Sequence, residues 1–217
     1  MLQIEKWVLG PVATNTYLVG DPDTHQAAVI DPAWDGKFLA DEIKQGGWQV
    51  QSIWLTHAHF DHFGGLAELL EGLDEKNQDG FFVGLHPKDN TLWKVKGGAV
   101  MFGVHIKSAP KPNHAFSEGE LLSLGSDEFV VHHAPGHSAG HVIFHCPDEK
   151  ILFSGDVIFK QGIGRTDLLG GSYETLMSSI ETWVLPLPDD TRILSGHGPE
   201  TTVGEEKINN PFVGSAL

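Results

Sequence analysis

Apolar and polar positions alternate in short runs at the front and rear of the chain, with helical spacing between them. Residues 4–9, 16–19 and 27–30 read as strands, separated by Gly10-Pro11 and by Gly20-Asp21-Pro22-Asp23, which are strong breakers. Phe38, Leu39 and Ile43 recur at helical spacing over 37–45, and Gly46-Gly47 supplies a stop. The apolar run 52–55 predicts a buried strand, and Leu66, Leu69 and Leu70 on one face predict a helix over 64–73. A strand is expected over 81–85 and a helix over 87–95, followed by an irregular stretch, 97–117, longer than a passive connection. Strand signals return at 121–124, 129–133, 142–145 and 151–153, then a helix over 173–184 and a last strand at 192–194. Strand runs followed by helices, given twice, predict an α/β layered sandwich with helices outside a pair of sheets. No repeat or linker interrupts the pattern, so a single domain over 1–217 is expected.

The strand at 52–55 delivers Thr56-His57-Ala58-His59-Phe60-Asp61-His62, which puts three imidazoles and a carboxylate within six residues. Borderline metals bind imidazole and carboxylate together, so the run H-x-H-x-D-H reads as half of a metal site. Three later segments share one character, in which a strand ends, glycine opens the backbone and a ligand-type side chain follows. They are Pro135-Gly136-His137-Ser138-Ala139-Gly140-His141, Ser154-Gly155-Asp156 and Ser195-Gly196-His197-Gly198.

The formal charge of −15, from 14 basic and 29 acidic residues, argues against an extended nucleic-acid surface. The single cysteine, Cys146, excludes an internal disulfide and reads as a buried small hydrophobe. The N-terminus lacks the pattern of a signal peptide, and no apolar stretch approaches the roughly 18–20 residues of a membrane helix. A cytoplasmic protein without membrane contact is therefore expected.

In order and spacing, H-x-H-x-D-H, P-G-H-S-x-G-H, G-D and G-H-G resemble the metallo-β-lactamase superfamily across nearly the whole chain. The resemblance implies a four-layer αββα sandwich with the metal site at one edge between the sheets. It implies that His57, His59 and His137 hold one divalent ion, that Asp61, His62 and His197 hold a second, and that Asp156 bridges both. Zinc is the first choice, and iron and manganese suit the same donors. Within the superfamily the sequence is most similar to glyoxalase II (hydroxyacylglutathione hydrolase), through Gly162-Ile163-Gly164-Arg165-Thr166-Asp167 and the ending Gly198-Pro199-Glu200-Thr201-Thr202. The chain ends 20 residues after His197, so the C-terminal helical domain of the long glyoxalase II enzymes is expected to be absent and glutathione recognition to differ. Arg165 stands where the long enzymes place a basic residue near the glutathione carboxylate.

The implied activity is hydrolysis of a thioester such as S-lactoylglutathione by a hydroxide held between two metals, with Asp61 and Asp156 organising the centre. The thiolate leaves without a strong general acid, because the conjugate thiol has a pKa of about 8.5. One alternative is a persulfide dioxygenase with a single iron, whose relatives share the Gly-Arg-Thr-Asp seen at 164–167. Another is a non-catalytic metal-binding module, although seven donors exceed the four that close a structural site.

Among the remaining candidates, Asp31 reads equally as a partner for a ligand imidazole and as a turn cap. His141 reads as a pocket residue or a hydrogen-bonded structural one. His132, His133 and His145 read as structural or surface residues, His25, His105 and His114 as solvated, and His86 as a residue of the covering segment.

Overall fold

The computed structural model describes residues 1–73 and 80–214. Six strands form the first sheet in chain order: β1 (Gln3–Leu9), β2 (Thr14–Asp21), β3 (Gln26–Ile30), β4 (Gln49–Trp54), β5 (Phe82–Leu85) and β6 (His114–Ala115). The first three pair antiparallel, and β3 to β6 run parallel. The second half of the chain supplies β7 (Leu121–Leu124), β8 (Asp127–His133), β9 (Val142–Cys146) and β10 (Ile151–Gly155). A short hairpin, β11 (Ile158–Phe159) with β12 (Gly162–Ile163), precedes β13 (Arg192–Ser195) and β14 (Thr201–Thr202). The second sheet has the order β14-β13-β10-β9-β8-β7 and is antiparallel except for the β10–β13 pair.

The period-2 alternation of each strand assigns its side chains to two different cores. Tyr17, Val19, Ala28, Ile30, Phe144 and Phe153 face the opposite sheet, where Trp54, Phe116 and Phe129 complete an aromatic inter-sheet layer. Leu18, Ala27 and Val29 point the other way, toward α1 (Gly36–Gln45) and α3 (Leu66–Gly72), which bury Leu39, Ile43, Leu66 and Leu69 against them. Ile143, Leu152 and Ile193 likewise face Leu176 and Ile180 of α5 (Tyr173–Trp183). The four layers are helix, sheet, sheet and helix, the αββα sandwich that the resemblance implied. Cys146 lies wholly buried in the inter-sheet core.

Several elements differ from the sequence expectations. The histidine run does not end in open loop: Phe60–Phe63 forms α2, so Asp61 and His62 sit on a helical turn before α3. The helix expected over 87–95 is divided into a 3-10 turn, Pro87–Asp89, and α4 (Asn90–Lys94). Residues 97–117, expected to be irregular, contain part of a kinked 3-10 stretch, Lys96–Phe102, and the two-residue β6. The hairpin β11–β12, the strand β14 and α6 (Val203–Asn209) have no counterpart in the sequence reading. Among the described residues, no helix is long and apolar enough to cross a membrane.

Candidate metal centre

The ligand-type residues follow the C-terminal ends of β4, β8, β10 and β13, so four strand ends deliver them to one edge of the sandwich. Glycines permit two of the approaches. The β10–β13 register shifts between Phe153 and Gly155, and Gly155 has φ +47°, which turns Asp156 inward. A Cβ at Gly196 would lie 2.3 Å from Asp156 Oδ1 and 2.7 Å from His62 Cε1, so only glycine allows the His197 loop to pass.

All seven candidate ligands converge. The Nε2 of His137 lies 2.8 Å from His59 Nδ1 and 3.2 Å from His57 Nε2. Beside this trio, Asp61 Oδ2 lies 3.5 Å from His62 Nε2 and 3.3 Å from His197 Nε2. Asp156 stands between the two sets: Oδ1 is 3.4 Å from His62, and Oδ2 is 3.5 Å from His137 and 3.6 Å from His197. Three overlapping groups have donor atoms all within 4.8 Å of one another: His57-His59-His137, His57-His62-Asp156 and Asp61-His62-His197.

The outer hydrogen bonds decide which imidazole nitrogens carry protons. His137 Nδ1 meets only an acceptor, the Arg165 carbonyl at 2.8 Å, so Nδ1 carries the proton and Nε2 presents a lone pair. His62 Nδ1 donates to Asp31 Oδ2 at 2.8 Å, so Nε2 is the nitrogen that faces Asp61 and Asp156. Thr56 Oγ1 donates to Asp31 Oδ2 at 2.7 Å and therefore accepts from His57 Nδ1 at 3.0 Å, leaving His57 Nε2 free. Asp31 is thus a partner of the candidate ligands rather than a simple turn cap. His141 differs: its Nε2 accepts the Asp156 backbone N–H at 3.0 Å, so its lone pair is already used. It is fully buried and stacks on His57 as a structural support.

The electrostatics divide the site. Burial drives His57 far below the usual histidine value and His59 down to about 3, with neighbouring imidazoles adding to the shift. Burial alone would also lower His62, but Asp156, Asp61 and Asp31 outweigh it and hold this imidazole well above its ordinary value. Asp61 is pulled to about 2 against its burial by His62 and His197, and Asp156 is lowered in the same way. The buried atoms His62 Nε2 and Asp156 Oδ1, 3.4 Å apart, have no hydrogen-bond partner. Buried polar atoms are normally satisfied, and lone pairs crowded beside carboxylate oxygens fit divalent cations.

Four supports are not evident from the sequence motifs. Buried Asp89 accepts the backbone N–H of Ala58 at 2.9 Å, Ser138 Oγ at 2.8 Å and the Gly140 N–H at 2.6 Å, which ties the His57–His62 loop to the His137 loop. Asn15 Nδ2 donates to the carbonyls of Ser195 at 2.8 Å and Gly198 at 2.9 Å, and Tyr17 Oη also donates to Ser195 at 2.8 Å. Thr14 Oγ1 donates to Asp61 Oδ2 at 3.1 Å. Asp89 lies in a segment that reads as helix, and the other three lie in an ordinary strand, so no local pattern marks them.

The centre opens into a cleft of about 190 Å³ whose other walls include Val12, Phe60, Gly97, Phe102, Arg165 and Leu168. Arg165 lines this cleft, but its guanidinium forks onto Asp167 with two 2.8 Å bonds. His86 stacks on His133 away from these groups, with ring centroids 4.2 Å apart, and His132 stacks on Trp183 at 4.3 Å. His25 and His105 are exposed, whereas His114 is half-buried and paired with Glu120.

Residues 9–197 match the family described as the metallo-beta-lactamase superfamily. The hydroxyacylglutathione hydrolase GloC of Haemophilus influenzae is 41% identical over 204 residues, covering 93% of each chain. The crystal structure of the B3 metallo-beta-lactamase BLEG-1 superposes with a TM-score of 0.88 at 37% identity, covering 97% of this chain and 99% of that one. A second crystal structure, TTHA1623 in a di-iron-bound form, gives a TM-score of 0.85 at 39% identity over 96% and 99%. The αββα layering, the order of the motifs and the match over most of its length agree that this chain belongs to the metallo-β-lactamase superfamily.

Proposed function

We propose that the protein is a binuclear metal-dependent hydrolase of thioesters of the S-lactoylglutathione type. The observation that carries this reading is the pair of neighbouring donor sets with Asp156 between them, lining an open cleft. A closed structural metal site would need only four donors and no cleft. The choice of thioester rests on the hydroxyacylglutathione hydrolase relative, and two ions are favoured by the di-iron form of the structural neighbour.

In this reading His57, His59 and His137 would hold one ion and Asp61, His62 and His197 the other, with Asp156, which stands between the two sets, available to both. Bound divalent ions supply Lewis acidity and lower the pKa of a coordinated water from 15.7 toward about 7. Among the described residues the cleft lining contains no serine or cysteine, and a metal-held water would serve as the nucleophile. Val12, Phe60, Phe102 and Leu168 give the acyl group an apolar wall and limit access of bulk water. Asp31 and the Arg165 carbonyl hold the imidazoles in the orientation and tautomer that leave their inner nitrogens free.

The test couples metal analysis to hydrolysis of S-lactoylglutathione. Turnover with about two metals per chain, lost in Asp156→Ala, is expected. Rapid oxygen uptake with glutathione persulfide by a protein carrying one iron would overturn this assignment in favour of a dioxygenase. Failure of the fully metal-loaded protein to cleave any thioester would also overturn it.

A further inference from the structure

Residues 90–117 carry four lysines and no carboxylate, in a chain whose formal charge is −15. The fold gathers all four, Lys94, Lys96, Lys107 and Lys111, around one cavity of about 310 Å³ bordered by Phe63 and Trp93. The indole of Trp93 stacks on Phe63 with ring centroids 4.5 Å apart, which fixes an aromatic surface at the cavity wall. Lys107 forms an exposed pair with Glu71 at 2.7 Å, an interaction that solvent screens strongly. Among the described residues, the ammonium groups of Lys94, Lys96 and Lys111 have no carboxylate partner. Like charges at such density repel one another, so the cluster is suited to receive a multiply charged anion.

The cavity is a direct neighbour of the metal cleft. Within α2, Phe60 lines the cleft and Phe63 lines the lysine cavity. Along the following stretch, Lys96 lines the cavity and Gly97 lines the cleft. Gly97 packs so closely on α2 that a Cβ there would lie 2.2 Å from the Phe60 nitrogen. The two spaces are therefore separated by one turn of helix and one backbone link. Inside the cleft, the lining cation Arg165 is already engaged by Asp167.

We propose that the lysine cavity binds the phosphorylated nucleotide end of a second kind of thiol carrier, whose thioesters the cleft cleaves besides those of glutathione. The proposal rests on the thioester reading above. Phosphates match the clustered ammonium groups, and a base matches the aromatic wall, since aromatic side chains stack on bases without regard to their identity. A tripeptide carrier has neither the phosphate charge nor the ring.

The test uses the metal-loaded protein and the Lys94→Ser/Lys96→Ser double variant, in which two exposed side chains are shortened. Calorimetric titration with adenosine 3′,5′-bisphosphate measures the site without turnover, and glutathione is the control. Wild type is expected to bind the nucleotide, more weakly as salt rises, and the variant to bind it about tenfold more weakly. Hydrolysis of acetyl-coenzyme A by the variant is expected to show a KM raised by about the same factor with kcat unchanged, while its constants for S-lactoylglutathione stay as in wild type. Equal nucleotide binding by wild type and variant, or binding of glutathione in place of the nucleotide, would overturn the proposal. If wild type cleaves neither thioester, the hydrolase reading fails by that result, and the anion site is still decided by the titration.

Discussion

Asp31 and His62 meet at 2.8 Å in the buried interior behind the metal centre, and this contact directs the other imidazole nitrogen of His62 toward Asp61 and Asp156. The same carboxylate oxygen accepts from Thr56, which in turn orients His57, so one side chain sets the tautomers of two candidate ligands. Asp31→Asn would place an amide N–H against a donor. Metal affinity is expected to fall by about 10–100-fold, and competition against a chromophoric chelator measures it. An unchanged affinity would show that His62 does not depend on this partner.

Asp89 makes a separate prediction about loop assembly. Asp89→Ala would leave the Ala58 and Gly140 N–H groups and the Ser138 hydroxyl buried without their acceptor. Each such loss costs about 1–3 kcal/mol, so a destabilisation of about 3 kcal/mol or more is expected. Chemical denaturation of the metal-free protein isolates this effect from any change in metal binding. A midpoint within error of wild type would contradict the tie.

Metal uptake should compete with protons at His62 and His197. Both imidazoles are held above the ordinary histidine value by Asp61 and Asp156, in spite of burial that acts the other way. A metal requires their neutral forms, so loading releases protons and affinity rises with pH. His57 and His59 oppose no such step, since burial already keeps them neutral. Calorimetry in buffers of different ionisation enthalpy counts the released protons. Loading with no net proton release at neutral pH would contradict the charged state assigned to His62.

Gly196→Ala should separate site geometry from folding. The added Cβ would stand 2.3 Å from Asp156 Oδ1, in a loop at the edge of the second sheet. Displacement of this carboxylate, which faces both donor sets, is expected to lower kcat by at least about 100-fold, while the circular dichroism spectrum keeps its wild-type form. A variant with wild-type turnover would remove Asp156 from the catalytic geometry.

The layers and the ligand-type residues were legible in the sequence for physical reasons. Leu18 and Val19, or Phe144 and Ile143, face opposite cores, so strands buried on both faces stand out as short continuous apolar runs. The histidine run and the Gly-flanked His137, Asp156 and His197 stand out because imidazoles seldom cluster at strand ends without a ligand. The two-residue strands β11, β12 and β14 are too short to show any period, and α6 buries only Val203 and Glu206, so it has no apolar stripe. Asp89 and Asn15 were invisible because their partners lie at least 31 and 180 residues away, respectively. Their function is created only by the folded arrangement.

Both donor sets draw on both halves of the sandwich: His57, His59, Asp61 and His62 follow a strand of one sheet, and His137, Asp156 and His197 follow strands of the other. Any ion seated there would add a link between the two leaves along this edge. Binding to the native state alone adds RT ln(1 + [L]/Kd) to stability, about 2.7 kcal/mol at a free concentration of 100 Kd. Metal scarcity would therefore reduce the amount of this protein that survives proteolysis in the cell before it limited the turnover of each surviving copy.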